Sequence, residues 1–274
     1  MNEPRNVLVT GGSGLLGRLV VDRLRSAGQR VRVLTHRPPT GDDMVQGDLR
    51  DGTGLGAALE GVDAVVHCAS DARASAEVDV TGTRRLVGAA LGAASPHLVY
   101  VSIVGVDRIP WRYYRAKYDA ERLVAGSGLP WTIQRATQFH PFLATMLEQL
   151  ARPPVLLVPR SFRFQPVDPA EVADRLVQQV ASGPAGRAPD FGGPEVLDLT
   201  ELAGTWLQAT GRRRRILPVP VPGNLGKAFR AGANLCPEHA DGRGTWQEFL
   251  ESRTDATAAP SVDRGVPGSR RRGE

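Results

Sequence analysis

Lysine is nearly missing from this chain: only Lys117 and Lys227 occur, and arginine supplies the rest of the 34 basic side chains. Cysteine is equally scarce. Cys68 and Cys236 lie far apart and in no metal-ligand spacing, which argues against a disulfide or a metal site and fits a reducing compartment. Aromatics make up 5% of the chain, so a core must be built from Val, Leu and Ala. No apolar run is long enough to span a bilayer. The stretch 6–10 is too short for a signal-peptide core and runs straight into a glycine-rich turn. These absences predict a cytoplasmic protein with no membrane partner. A net charge of +5, partly carried by an Arg-rich end, is a weak case for polyanion binding, and no nucleic-acid partner is expected.

What the chain does have is alternation. Short apolar runs at 6–10, 30–35, 44–48, 63–69, 97–102 and 131–135, most of them dominated by Val and Leu, read as strands buried on both faces. Between them, helical periodicity covers 14–27, 53–60, 78–94 and 111–126, with glycines such as Gly28 and Gly61 at the stops. This is the pattern of βαβ units in an α/β, doubly wound parallel sheet of the Rossmann type. Further on, helices are predicted at 138–150, 168–181, 200–210, 229–234 and 245–252, and strands at 155–158, 195–199 and 215–219. The expected organisation is a dinucleotide-binding core over 1–135. The rest of that domain and a small substrate lobe follow over 136–252, then a disordered tail over 253–274.

The first strand ends in Thr10-Gly11-Gly12-Ser13-Gly14-Leu15-Leu16-Gly17, and a helix follows at once. Glycines there let backbone N–H groups approach a pyrophosphate at a helix N-terminus. The second strand closes on Thr35-His36-Arg37 with no Asp or Glu to take a ribose 2′-hydroxyl. Arg37, with Arg18 nearby, offers a guanidinium for a 2′-phosphate, so NADP(H) is preferred over NAD(H). By the logic of open α/β sheets, Gln138, Phe139 and His140 follow the sixth strand and line the substrate side. Phe139, Phe142 and Met146 recur on one helical face and read as core.

Further motifs stand in order: Gly47-Asp48-Leu49, Cys68-Ala69-Ser70, Asp79-Val80-Thr81-Gly82-Thr83, Val101-Ser102 and Tyr113-x-x-x-Lys117. With the glycine turn, they make about the first 140 residues resemble the short-chain dehydrogenase/reductase superfamily in its atypical, NmrA-like branch. The resemblance implies that Asp48 and Leu49 meet the adenine, and that Ala69 and Ser70 line the ribose side. It further implies Tyr113 as proton donor or acceptor, Lys117 as the cation that lowers its pKa and binds the ribose, and Ser102 as the holder of the substrate oxygen. Residues four apart share a helix face, so Tyr113 and Lys117 can serve one site. Asp79 stands where extended members commonly carry Asn, and Ser102 precedes Tyr113 by 11 residues. The leading expectation is an NADP(H)-dependent oxidoreductase acting on a small carbonyl, alcohol or quinone-like molecule. A catalytically silent redox sensor and a sugar-nucleotide epimerase, dehydratase or cyclisation enzyme stay open. Trp111 and the Tyr-bearing helix offer a face for a homodimer. No metal is expected.

Overall fold

The structure, a computed structural model, describes residues 3–258. The chain begins β1 (Asn6–Thr10), α1 (Leu15–Ser26), β2 (Arg30–Thr35), β3 (Met44–Gln46), α2 (Leu55–Leu59) and β4 (Ala64–His67). A π-helical stretch, Ala76–Gly82, then runs directly into α3 (Thr83–Leu91). Next come β5 (His97–Ile103), α4 (Arg112–Ala125), β6 (Trp131–Ala136) and α5 (His140–Leu150). The remainder holds β7 (Val155–Pro159), β8 (Arg163–Phe164), α6 (Pro169–Ser182), β9 (Gly186–Arg187) and β10 (Leu197–Asp198), then α7 (Leu199–Ala209), β11 (Arg215–Val219), α8 (Gly223–Arg230) and α9 (Trp246–Ala258).

Seven of these strands pair, all parallel, in the order β3-β2-β1-β4-β5-β6-β9. The period of two along β1 explains why both faces are covered. Val7 and Val9 join Val20, Leu24 and Leu176 of α1 and α6 on one side. Leu8 joins Leu59, Leu86 and Ala120 of α2, α3 and α4 on the other. The strand order reverses between β1 and β4, so their carboxyl ends open a crevice there. A third core, with Leu143, Leu147, Leu156, Phe164, Trp206 and Phe229, builds the small lobe around the two-stranded pairs β7–β11 and β8–β10. Tyr114 of α4 is part of that core, so the lobe packs directly beside the crevice.

Some bounds differ from those expected. The third strand stops at Gln46 because the Gly47 amide bonds Thr35 O and the Asp48 amide turns back to Thr53 O, both at 2.9 Å. The short helix expected at 229–234 is instead α8, which begins as soon as the Pro218–Pro222 run ends and sets Leu225 and Phe229 on one face. Helix α9 runs on to Ala258, so chain read as tail from Arg253 starts in helix. The rest of the expected tail, 259–274, lies outside the described residues. Among the described residues no helix is long and apolar enough to cross a membrane.

Candidate active site

The glycine turn is dictated by contact. Gly11 has φ +67°, and a Cβ on it would sit 2.7 Å from the Ala69 Cα at the end of β4. A Cβ on Gly17 would strike the Gly11 carbonyl oxygen and lie 2.8 Å from the Gly12 Cα. Only hydrogen fits, so α1 starts tight beneath the turn. Its N-cap, Gly14, offers no side-chain acceptor, and the first turn holds no acidic residue. The free N–H groups and the positive end of the helix therefore face the crevice, where an anion would satisfy them.

Two hollows of about 280 and 290 Å³ flank this turn and share Gly11, Gly14, Cys68 and Ser70. The first lies on the side of the turn that faces Asp48. Ser13, Asp48, Leu49, Ala69 and Ser70 line it, as the motifs imply. Asp48 Oδ1 accepts from the Arg50 amide at 2.8 Å, which fixes the carboxylate at the rim. Arg37 is not among the lining residues; its amide donates to Thr35 Oγ1 at 3.1 Å, while its neighbour His36 does line the hollow. Arg50 and Asp71, which the motifs did not flag, line it too and approach each other to 4.0 Å.

The second hollow contains Leu15, Leu16, Gly17, Ser102, Tyr113 and Lys117, so the predicted side chains do meet. Lys117 is 3% exposed; its Nζ donates to Val101 O at 2.9 Å and lies 4.3 Å from the Tyr100 ring centre. Burial pulls the Lys117 ammonium below its usual pKa, and Asp79 at 3.6 Å resists that. Asp79 is fully buried in the π-helical stretch, the kind of local irregularity that often marks a working site. It accepts the Ser70 hydroxyl at 2.7 Å. With that hydrogen committed, Tyr113 OH donates to Ser70 Oγ at 2.8 Å. Burial, reinforced by Asp79 and Asp71 against the Ser70 hydrogen bond, pushes the Tyr113 phenol up to about 12. Ser102 Oγ is buried and has no partner. Burial pushes the Cys68 thiol up to about 12.

Behind the site, His67 ties two elements together. Its Nδ1 meets Thr10 Oγ1 at 2.6 Å and its Nε2 meets Thr83 Oγ1 at 2.9 Å, so the end of β1 and the start of α3 are held in register.

Gln138 and Phe139, expected from the sequence on the substrate side, line the second hollow together with Thr137 and Phe142. Gln138 Nε2 donates to Tyr114 OH at 3.0 Å. Phe139 and Phe142 thus face the hollow instead of forming pure core, and Phe142 is 48% exposed; Met146 does pack on the lobe core. His140 is not where the sequence suggested. It is the first residue of α5, and the helical turn swings it away into the lobe, stacked 5.1 Å from Phe249 and 6.1 Å from Trp246. Burial lowers its pKa to about 4. Among the described residues, no group of three metal-ligating side chains gathers.

The profile of a family described as NAD(P)H-binding matches residues 11–181, from the glycine turn through α6. The chain belongs to that NAD(P)H-binding family. Among similar proteins is the (4-alkanoyl-5-oxo-2,5-dihydrofuran-3-yl)methyl phosphate reductase of Streptomyces griseus subsp. griseus, 33% identical over 76% of this chain and 75% of that protein. Another is the ceramide reductase of Caulobacter vibrioides, 25% identical over 95% of this chain and 89% of that one. An NADPH-dependent quinone oxidoreductase from Escherichia coli, solved with NADPH, superposes with a TM-score of 0.75 at 17% identity, covering 90% of this chain and 99% of that one; it attests the fold.

As a member of the NAD(P)H-binding family, the chain carries a cleft that fits a dinucleotide. The glycines that only hydrogen can occupy, the uncapped helix N-terminus and a hollow on each side of it match a pyrophosphate with a nucleoside at either end.

Proposed function

We propose that the protein is an NADP(H)-dependent reductase that converts a carbonyl or quinone-like compound to its hydroxyl product, with Tyr113 as the acid. The observation that carries the reading is the buried, unpartnered Ser102 hydroxyl in the same hollow as Tyr113 and Lys117. A buried hydroxyl without a partner costs about 1–3 kcal/mol, which a bound carbonyl oxygen would recover. A bound reduced nicotinamide supplies the hydride. The chain's own residues handle the proton. With its pKa near 12, Tyr113 is protonated at neutral pH, the form suited to donate to an oxygen that gains negative charge. Ser102 holds that oxygen. Ser70 is exposed and bonded to Tyr113, so once its hydroxyl turns from Asp79 to the phenolate it can return a proton and take another from solvent. Preference for NADP(H) is supported by the missing acidic residue after β2 and by Arg50 and His36 on the adenosine side.

The test is NADPH consumption with a panel of ketones, aldehydes and quinones, wild type against Tyr113→Phe. Removing the acid should lower kcat/KM by about 10²–10⁴ while NADPH still binds. Equal turnover by both proteins would remove Tyr113 from the mechanism. A second reading, a coenzyme-binding sensor without turnover, draws on one observation: Asp79 already balances the Lys117 charge. Tight NADPH binding with no substrate reduced by either protein would favour it.

A further inference from the structure

The second hollow, which on the coenzyme reading also takes the nicotinamide-side nucleoside, is lined by several residues whose polar atoms are unpaired. Ser102 Oγ, Thr137 Oγ1 and Gln138 Oε1 all lack a partner, and their residues are only 3%, 3% and 6% exposed. All three residues line the same hollow. Turning the Gln138 amide over would pair its oxygen with Tyr114 OH and free its nitrogen, so either orientation leaves one amide position open. Buried polar groups are nearly always satisfied, so three unpartnered ones on residues that line one hollow need a common explanation, which a ligand there supplies. The mouth is of opposite character. Trp111 and Phe142, 42% and 48% exposed, stand at the rim, and Trp111 leans on Tyr114 at 5.4 Å between ring centres.

We infer that the substrate is an amphiphile with a second oxygen or nitrogen beside its reacting carbonyl, held by Thr137 and Gln138, and with an apolar body that leaves past Trp111 and Phe142. A β-keto ester or β-keto amide has this chemistry; an unfunctionalised ketone does not. The inference rests on the reductase reading and names the substrate class of that site.

The experiment compares matched pairs, a 2-alkanone and the β-keto ester of equal chain length, with NADPH. The ester should be favoured about 10–100-fold in kcat/KM, the worth of one or two buried hydrogen bonds. Each added methylene should raise kcat/KM about threefold to fourfold until the chain clears the rim, and Trp111→Ala should flatten that rise. Thr137→Val with Gln138→Met, nearly isosteric and checked for folding by thermal melting, should bring the ester-to-ketone ratio to about one. Calorimetry with the β-keto ester and the plain ketone in the presence of NADP⁺, a pairing that cannot exchange hydride, reads the same preference without turnover. A wild-type ratio near one in both assays overturns the inference. So does a paired variant that weakens NADPH binding and leaves the ratio intact, since Thr137 and Gln138 would then belong to the coenzyme. If no carbonyl is turned over, the reductase reading fails, and the calorimetric preference still decides this one.

Discussion

Asp79 holds a carboxylate oxygen 3.6 Å from the Lys117 ammonium, and neither side chain reaches solvent to more than 4%. The cation four residues after Tyr113 is therefore compensated before any coenzyme enters. The same carboxylate orients Ser70 and adds to the forces that keep the Tyr113 proton in place. One buried acid thus sets both the charge and the hydrogen-bond direction of the site.

Asp79→Asn keeps the shape and removes the charge. Because Asp79 raises the Tyr113 pKa, its loss should move the alkaline limb of the kcat/KM profile to lower pH. The wild-type profile should stay flat well past pH 9. Lys117 would be left buried without its counter-charge, at a cost of about 3–5 kcal/mol in urea unfolding, and adding Lys117→Met should recover much of it. An unchanged alkaline limb would mean that Asp79 acts on structure alone.

Gly17 and Gly14 separate two roles of the turn. Gly17→Ala drives a methyl into the Gly11 carbonyl and must lift α1 away from the turn. NADPH affinity should fall about 100-fold or more, with about 1–3 kcal/mol lost from stability. At Gly14 the methyl would sit 3.2 Å from the same oxygen, a strain the turn can relieve by a few tenths of an ångström. Gly14→Ala should weaken binding by about tenfold or less. Equal losses from the two variants, measured by fluorescence titration, would contradict the contact argument.

What could be read from the sequence was local. Strands β1, β2, β4 and β5 announce themselves through runs rich in Val and Leu, and Asp168 ahead of Pro169 does cap α6, accepting the Ala170 amide at 2.8 Å. The Tyr113–Lys117 pair was visible because four residues make one helical face. By contrast, β9 is only Gly186-Arg187, with no apolar signal, and it pairs because β6 offers a free edge. Ser70 and Tyr113 are 43 residues apart, and nothing nearby in sequence announces their hydrogen bond. His140 misled through its neighbours. Gln138 and Phe139 do face the hollow, but the helix begins at His140, and the ring's partners come from α9 over 100 residues later. Arg37 is not among the residues lining the first hollow, whereas His36 just before it is.

That last difference gives a prediction about coenzyme choice. If the 2′-phosphate is read from the lining residues, Arg50→Ala should weaken NADPH about 10–100-fold, the worth of a charge-assisted hydrogen bond, and leave NADH nearly unchanged. Arg37→Ala should weaken NADPH less than threefold at about 0.15 M salt, as expected for an exposed charge. Dissociation constants for both coenzymes on both variants decide it. A larger effect at Arg37 would restore the assignment made from the sequence.

Acid should unfold the protein through its buried imidazoles. Burial holds His67 down to about 3, aided by the charge of Lys117, and holds His97 and His140 down to about 4. Unfolded, each takes a proton near pH 6.5, so the unfolded state binds more protons between that value and the folded one. Their contribution to stability is complete above pH 6.5 and is lost as pH falls toward 4 and then 3, by about 1.4 kcal/mol per pH unit for each ring. His140 allows the cleanest test, because a phenyl ring can keep the stack on Phe249 while losing the titration. His140→Phe should therefore match wild type at pH 7.5 to within about 1 kcal/mol. Between pH 5.5 and 4.5 its stability should fall less steeply, by about 1.4 kcal/mol per pH unit, in urea titrations. A slope identical to wild type would show that His140 takes up its proton without unfolding, and would place it in reach of solvent after all.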